Sequence, residues 1–392
     1  MRVPMNIDAI LYGLLFTLTI ATGLLYLYAR IKLIDRWIPH YLKRLLTQRR
    51  VKDKTVDIMF LFVDHFELNG HKDRLDAWTV DYPNMAMNHQ DSDGQPPKHS
   101  FFYALDLMHE HELAAMKPVI DAGYGEFELH WHHDHETQKS FIEKLDNAME
   151  IFHKYDYMLP YKTNQKACFS FIHGNWSLAN SRGEHFCGVD NEVEILKDQG
   201  CYGDFTYPAL YSEAQPPLIN NIYYCNNLEQ SSCYFKGRDA QVNHPQKDDE
   251  FMIFQGPMTI NWLDWRHKWH PTVEDGDINQ YPTHDDPKRI DAWIRQMIHV
   301  KGRPEWQFVK VFCHGAQDHK SVVSDTTDRM HSYLENNYND GDKYRLHYVT
   351  AREAYNIVKA AEDGHQGNPN QYRDYVIPHP KKRNLEETTC AV

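Results

Sequence analysis

The sequence predicts an α/β protein preceded by one transmembrane helix. Three features carry this prediction. Residues 9–29 are apolar and uncharged. Across residues 55–362, short apolar runs alternate with segments of helical periodicity, which is typical of βα units repeated around a parallel sheet, open or closed into a barrel. Polar residues, many of them histidines, follow the apolar runs at the points where the strands would end.

The first element is the apolar N-terminal segment. No charged residue lies between Asp8 and Arg30. A helix over residues 9–29 would be about 31 Å long, which matches the hydrocarbon thickness of a bilayer. A cleavable signal peptide is the competing interpretation, but the segment exceeds the usual apolar length and no small-x-small cleavage site follows it. Residues 1–29 are therefore predicted to anchor the chain in a membrane.

The next segment, residues 30–54, is basic and amphipathic. It holds nine Lys and Arg residues against two Asp residues. The pattern predicts a helix that lies on an anionic membrane surface, and the alternative is an ordinary helix packed on the following domain. Its apolar residues recur at helical spacing, and they are Ile31, Ile34, Ile38, Leu42 and Leu45.

Charge and cysteine content indicate the location of the domain. Nine basic residues follow the apolar segment and Arg2 alone precedes it, so the positive-inside rule places the domain on the cytoplasmic side of the inner membrane. The seven cysteines form no C-x-x-C pair and are expected to be free thiols in a reducing compartment. The chain has a net charge of −13 despite its basic arm, and such an acidic domain argues against nucleic acid as a partner.

Beyond residue 54 the pattern predicts one large α/β domain, residues 55–362. Two segments without clear periodicity, 81–100 and 207–250, are expected to be long surface loops that wall a site. The polar tail, residues 363–392, is expected to be poorly ordered. The predicted strands are 57–63, 126–132, 167–172, 202–205, 251–254, 307–313 and 345–349. The predicted helices are 104–122, 137–154, 192–199, 287–300, 324–336 and 351–361.

The candidate functional residues follow these strands. In parallel α/β folds the carboxyl ends of the strands share one edge, so polar residues there are expected to meet in one pocket. A single histidine would mean little, whereas recurrence after five strands indicates a site. The residues concerned are Asp64, His65, His130, His132, His133, His135, His173, Asn175, Trp176, Asp204 and His314.

The histidines near residue 130 predict a metal site. On an extended strand, His130 and His132 project from the same face, and His135 lies on the turn that follows. Several imidazoles near a carboxylate suit Zn²⁺ or another divalent ion. The candidate ligands are therefore His65, His130, His132 and His135, with zinc as the favoured ion. The alternative is a solvated, histidine-rich loop.

At these positions the chain resembles the polysaccharide deacetylases of the NodB homology superfamily. Asp64 and His65 stand where their first motif has two aspartates, a base followed by a metal ligand. The resemblance therefore implies Asp64 as the base and His65 in place of the ligand carboxylate. Glu126 and His130 are similar to the opening of the second motif, and His314 is similar to the histidine of the late Leu-His motif.

The same resemblance implies an irregular (β/α)7 deacetylase-like barrel and a divalent metal held by one carboxylate and two histidines. The chain departs from the family pattern in two places. Asp134 stands where the second motif has its second histidine, with His135 one position later. The family's Arg-x-Pro-x-Gly motif is absent, and residues 172–176 stand in its place. These departures bear on the activity more than on the fold.

The predicted function is a metal-dependent hydrolase that removes an acyl group from an amino sugar or glycan, including one carried on a membrane lipid. Asp64 would take the proton of the attacking water, and His314 would protonate the leaving amine. Substrate binding is assigned to four further residues at the strand ends, which are His173, Asn175, Trp176 and Asp204.

Two other functions are compatible with the sequence. A non-catalytic scaffold with the same fold, acting in membrane glycan assembly, is favoured by the replaced motif residues. A glycosidase would need two opposed carboxylates, and the candidates are Glu67, Glu126, Glu128 and Asp204. Flat aromatic faces for sugar rings are offered by Trp131, Trp176, Trp262 and Trp265.

Overall fold

The domain is built on a central β-sheet. The structure, a computed structural model, describes residues 7–158, 168–261, 272–280 and 283–380. Its strands are β1 (Val56–Phe66), β2 (His99–Ala104), β3 (Gly125–Trp131), β4 (Phe169–His173), β5 (Cys201–Asp204), β6 (Ile222–Cys225), β7 (Arg238–Asp239), β8 (Phe251–Phe254), β9 (Thr259–Asn261), β10 (Thr272–Glu274), β11 (Trp306–Cys313) and β12 (Tyr344–Tyr348).

The central sheet is mostly parallel and open. Its strand order is β11-β1-β2-β3-β4-β5-β8-β6-β7, and β12 pairs with the first half of β1. Antiparallel pairing enters this sheet through β6, which pairs with β7 and β8. Across the described residues no hydrogen-bonded ladder joins β11 to β7, so the sheet is not closed into a barrel by strand pairing. The predicted α/β class with a mostly parallel sheet is confirmed.

Helices precede and cover the sheet. Two of them begin at a threonine that completes a capping box, Thr137 before the helix at 138–154 and Thr350 before the helix at 351–362. The helices are α1 (Ile7–Ile31), α2 (Ile38–Thr47), α3 (Lys72–Asp76), α4 (Tyr82–Ala86), α5 (Glu110–Asp121), α6 (Gln138–Lys154), α7 (Glu192–Asp198), α8 (Pro287–Ile294), α9 (His319–Val322), α10 (Asp325–Tyr338) and α11 (Ala351–Glu362).

Alternation of side chains along the strands divides the core in two. Phe62 of β1 belongs to a buried cluster with Met116 of α5 and Phe141 of α6. Its neighbour Leu61 belongs to a second cluster with Ile357 of α11. We call these two sides of the sheet the α5–α6 face and the α11 face. Adjacent residues of one strand lie on opposite faces, because successive side chains of an extended chain point in opposite directions.

The N-terminal helices differ in their surroundings. α1 is long and apolar enough to cross a membrane by length and composition, and its apolar stretch is unburied. α2 packs on the domain through Trp37 and Tyr41, and the Tyr41 hydroxyl lies 3.1 Å from that of Thr259. The other side of α2 is exposed and carries Leu42, Leu45 and Leu46. One face of α2 is therefore packed on the domain, as the alternative interpretation expects, while another apolar face is open.

The main difference from the predicted elements is β2. Its six residues lie partly in a predicted loop and partly at the predicted start of a helix, which begins only at Glu110. All six are buried because both faces of the sheet are covered, and a strand buried on both faces shows no period of two. The segment 207–250 likewise contains β6 and β7 rather than loop alone. The predicted helix 287–300 ends earlier, at Ile294.

The chain after α11 does not fit the expectation of a poorly ordered tail. Arg373 lies against Glu353, with Nη1 at 2.9 Å from Oε2, and also reaches Asp91 at 3.1 Å. Asn356 of α11 donates its side-chain amide to the carbonyls of Arg373 and Ile377. The polar residues on which the prediction of disorder rested instead form hydrogen bonds and ion pairs with buried polar groups of the domain. Residues 381–392 lie outside the described residues.

Candidate metal centre

The end of β1 sends its polar residues to opposite faces of the sheet. Asp64 faces the α5–α6 side and is fully buried, with Oδ1 accepting a hydrogen bond of 2.7 Å from the amide of Gly315. Its other oxygen lies 3.5 Å from Nδ1 of His99. His65 and Glu67 face the α11 side. The expected base is therefore separated from the neighbouring histidine by the sheet itself, which corrects the role predicted for Asp64.

Four histidines form a continuous line on the α11 face, which we call the imidazole row. The ring centre of His65 lies 4.7 Å from that of His130 and 4.7 Å from that of His314. The ring of His132 continues the row at 4.5 Å from His130. Three strands, β1, β3 and β11, deliver these residues at their carboxyl ends. The structure thus brings together four of the predicted site residues.

Glu67 joins the row at one end. Its Oε1 lies 3.5 Å from Nε2 of His130 and 3.6 Å from Nε2 of His132. Nδ1 of His130 lies 3.1 Å from the carbonyl of Ile172, and Nδ1 of His132 lies 3.2 Å from the Asp106 carboxylate. Because carbonyl and carboxylate oxygens only accept, each Nδ1 carries a proton. In its neutral form each ring therefore directs the lone pair of Nε2 towards Glu67. Burial lowers the pKa of His130 and so favours this form, whereas for His132 the contacts with Asp106 and Glu67 outweigh burial and raise the pKa.

These three residues fit a divalent cation. Their ligand atoms lie within 4.8 Å of one another. Nε2 of His130 is buried and has no hydrogen-bond partner among the described residues, because 3.5 Å is too long for such a bond. A ring whose Nδ1 is tied to a carbonyl or carboxylate and whose Nε2 is unpaired is the usual state of a histidine that binds metal. One carboxylate and two histidines suit zinc, and they leave positions open for other ligands.

Burial and neighbouring charge set the protonation of this group. Burial would raise the pKa of Glu67, but attraction to His130 and His132 outweighs burial and lowers it. Burial lowers the pKa of His65 well below its usual value, and the charges of His314 and His130 lower it further. The candidate ligand Glu67 is thus an anion, while His65 is a neutral imidazole. Nδ1 of His65 is also buried without a hydrogen-bond partner in the described chain.

The fourth histidine predicted as a ligand lies elsewhere. His135 is exposed and lies in a group with Asp134 and His185. Its backbone has a positive φ of 48°, and its amide donates to the carbonyl of Glu184. The chain has therefore turned away from the row by this point, and His135 does not meet His130. Glu67 takes the place of His135 in the candidate ligand set.

A second buried histidine group lies on the α5–α6 face. Glu192 accepts from Nε2 of His133 at 2.8 Å and from the amide of Ala179 at 2.7 Å, and Sγ of Cys187 lies 3.6 Å away. Nδ1 of His173 accepts from the amide of Asn175, so the proton of this ring sits on Nε2, 3.7 Å from Glu192. A protonated Nε2 has no lone pair for a metal. Nδ1 of His133 and Nε2 of His173 have no hydrogen-bond partner among the described residues. We interpret this group as core organised by the hydrogen bonds that Glu192 accepts.

Of the four residues predicted to bind substrate, only some lie near the imidazole row. His173 belongs to the buried group and is screened from the row by the sheet. Asn175 donates its side-chain amide to the carbonyl of His133 at 3.0 Å. Asp204 is buried and accepts from the hydroxyl and amide of Thr206, and burial raises its pKa to about 7. Trp176 does meet the row.

The aromatic residues predicted to stack on sugars divide in the same way. The ring centre of Trp176 lies 6.0 Å from that of His65 and 6.4 Å from that of His314. Trp131 is buried and stacks on Phe141 in the core at 4.8 Å. Trp262 and Trp265 lie outside the described residues. Of the predicted tryptophans that the structure describes, Trp176 adjoins the imidazole row, and Phe312 lies beside it too, with its ring centre 6.1 Å from that of His65.

The carboxylates considered for a glycosidase are engaged in other contacts. Glu126 forms an ion pair of 2.8 Å with Arg352. Glu128 accepts from the hydroxyl of Tyr202, and burial raises its pKa to about 7. With Asp204 held by Thr206, Glu67 is the one member of that set beside the row. These four candidates therefore provide no pair of opposed carboxylates at this site.

Two residues of the candidate metal centre were not predicted as part of a metal site. Glu67 was considered for a glycosidase and not as a ligand, and Asp106 was not considered at all. The signal for Glu67 was present, because it stands two positions after His65 on an extended chain and so shares its face. Asp106 follows β2, the strand that the sequence pattern did not reveal.

Comparison with known proteins gives no relative from which to carry over a function. No family model matches the chain, and no curated protein matches it. The functional assignment of this protein therefore depends on the geometry of Glu67 and the imidazole row.

Proposed function

We propose that this protein is a metal-dependent hydrolase that removes an acyl group from an amino sugar or glycan. The observation that carries the proposal is the pair of imidazole Nε2 atoms that face one carboxylate oxygen of Glu67, with both Nδ1 atoms anchored. The resemblance of Asp64-His65, His130 and His314 to the motifs of the polysaccharide deacetylases supports the substrate class. It also supports a deacetylase-like barrel as the finer fold assignment.

Glu67, His130 and His132 would hold the ion, which we propose to be zinc. A divalent ion there would polarise an acyl carbonyl and lower the pKa of a water molecule. The carbonyl of Ile172 and the carboxylate of Asp106 would keep the two rings in the orientation that binding requires. Glu67 would be ionised for this role, in keeping with its lowered pKa.

His65 and His314 would move the protons of the reaction. His65 is neutral, adjoins His130, and has an unpaired buried Nδ1, so it would take the proton as the water oxygen attacks the acyl carbon. His314 lies on the other side of His65 and would give a proton to the amine nitrogen as the carbon–nitrogen bond breaks. Asp64 would act indirectly, because its bond to the Gly315 amide fixes the chain beside His314. Trp176 would offer a flat face to a sugar ring.

The membrane is the proposed location of the substrate. α1 has the length and composition of a membrane span, and the basic residues after it favour a cytoplasmic position for the domain. A glycan carried on a membrane lipid would meet the domain there. A reporter enzyme fused after residue 392 tests the orientation: periplasmic phosphatase activity from that fusion would contradict the cytoplasmic assignment.

The metal centre is tested on the full chain in neutral detergent. Zinc content and acetate release from N-acetylglucosamine oligomers are measured for the wild type, for His130→Ala and for the matched control His135→Ala. We expect His130→Ala to lose both zinc and activity, and His135→Ala to keep both. Zinc retained by His130→Ala would contradict the proposed ligand set.

The same measurements separate the hydrolase from the non-catalytic scaffold. The burial of Asp64 on the opposite face favours the scaffold, because it removes the residue that matches the family base. A hydrolase should lose turnover but keep zinc when His65 is changed to Gln. Zinc binding without acyl release from any acylated amino sugar would leave the scaffold as the function of this fold.

A further inference from the structure

A basic cleft lies between the first turns of α2 and the domain. It has a volume of about 420 Å³, with α2 on one side and domain loops on the other. This volume falls in the range of roughly 300–1,000 Å³ that is usual for small-ligand sites. Arg36, Lys43 and Lys236 line the cleft, and among the described residues none of these three forms an ion pair with an acidic side chain.

The rest of the lining is apolar or donates hydrogen bonds. Pro39, Leu218 and Phe235 form an apolar wall, and no acidic residue of the described chain lines the cleft. Nδ1 of His40 accepts from the amide of Ile219 at 3.2 Å, so the proton of the neutral ring is on Nε2. Three cations without an acidic partner, of which Arg36 also donates to the carbonyl of Glu213, combine with one further donor and apolar walls to fit an anion that carries hydrocarbon. The acidic balance of the whole chain makes this local concentration of positive charge stand out.

The cleft is close to the membrane end of α1. Arg36 follows Ile31, the last residue of α1, by five positions, so at most about 18 Å of chain separates them. The link is folded back on itself, because Arg30 forms an ion pair of 2.9 Å with Asp35. The exposed side of α2 carries three leucines, of which Leu46 is 77% exposed. These features place the cleft at the level of the lipid head groups when α1 spans a bilayer.

We propose that the cleft binds the head group of one anionic phospholipid from the membrane that holds α1. Arg36, Lys43 and Lys236 would contact the phosphodiester, because charge-assisted hydrogen bonds to phosphate are among the strongest in proteins. Leu218 and Phe235 would pack against the first carbons of the lipid. The proposal depends on α1 being a membrane span and not on the hydrolase, so the two can fail separately. Free inorganic phosphate shares the anionic chemistry and is distinguished by the test.

The test uses the full chain in neutral detergent, with lipid binding followed by native mass spectrometry. Phosphatidylglycerol and phosphatidylcholine with the same acyl chains are added in turn. We expect one retained phosphatidylglycerol per chain and little phosphatidylcholine. Lys236→Ala should weaken phosphatidylglycerol binding about fivefold, as expected for the loss of one cation near a lipid phosphate. Arg49→Ala is the matched control, because it removes the same charge from an exposed residue of the basic arm outside the cleft.

Three results would overturn the proposal. Equal retention of the two lipids would show that the negative charge is not recognised. Equal weakening by Lys236→Ala and Arg49→Ala would show that the attraction comes from surface charge in general. Displacement of the lipid by an equal concentration of inorganic phosphate would assign the cleft to free phosphate.

Discussion

His347 is held as an imidazolium between the buried carboxylate of Asp57 and the partly buried carboxylate of Asp93. Its Nδ1 lies 2.6 Å from Asp93 and its Nε2 lies 3.0 Å from Asp57, so both nitrogens donate. Burial would lower the pKa of His347, but the hydrogen bonds to Asp57 and Asp93 outweigh burial and raise it. His347→Leu would leave these carboxylates with Arg345 and Arg373 as remaining partners. Breaking a buried ion pair costs about 3–5 kcal/mol, and because the arginines remain we expect a loss of about 3 kcal/mol.

The pH dependence of this loss has a definite sign. The folded pKa of His347 lies above the unfolded value of about 6.5, so its stabilisation is fully present below that pH and is lost as the pH rises through the folded pKa. Urea titrations of the full chain in neutral detergent measure the free energy of unfolding at about pH 6 and about pH 9. The gap between wild type and His347→Leu should shrink at the higher pH. His153→Leu, at an exposed position of α6, is the control. Its free energy of unfolding should not differ from that of the wild type in this pH-dependent way. An equal gap at both pH values would refute the imidazolium.

Three further changes test other groups. Asp64→Ala removes the acceptor of the buried Gly315 amide and should lower the free energy of unfolding by about 1–3 kcal/mol in the same titration; unchanged stability would contradict a structural role for Asp64. Burial would raise the pKa of Glu353, but the charge of Lys98 helps to lower it, so its contribution is present above about pH 4.3 and is lost as the pH falls. The stability difference between wild type and Glu353→Gln should therefore shrink in acid, and a difference that grows there would count against this sign. Glu192→Gln should leave the zinc content of the full chain unchanged, because Glu192 serves as a hydrogen-bond acceptor; a loss of zinc would identify its group as a metal site.

The sequence predicted those strands and helices whose ends coincide with a change from apolar to polar residues. Seven predicted strands correspond to observed ones, because each contains apolar residues and is followed by a polar one. Five short strands were not predicted, and they are β2, β6, β7, β9 and β10. β2 begins with His99 and Ser100, which are buried in the structure, and no local property of a short polar start reveals that burial. Burial of such residues is decided by the strands on both sides.

The candidate site was predicted in position but not in detail. The carboxyl ends of β1, β3 and β11 do bring His65, His130 and His314 together. The sequence does not show which way each residue points after a strand begins to turn, and this decides the outcome for Asp64, for His135 and for His173. Neighbouring residues of an extended chain place their side chains on opposite faces of the sheet. The apolar pattern locates a strand end only to within a residue or two, so it does not determine the face on which a given side chain lies.

The docking of α2 limits how the domain can move. Trp37 and Tyr41 hold α2 on the domain, and only the residues between Ile31 and Ile38 connect it to α1. A domain joined by a long flexible linker would sample a hemisphere above the bilayer and spend most of its time far from the surface. This domain has no such freedom once α1 is inserted, so it would translate and rotate with the helix in the plane of the membrane. An encounter with a lipid-borne molecule then becomes a search in two dimensions, at a fixed height and with the same side of the domain always facing the bilayer.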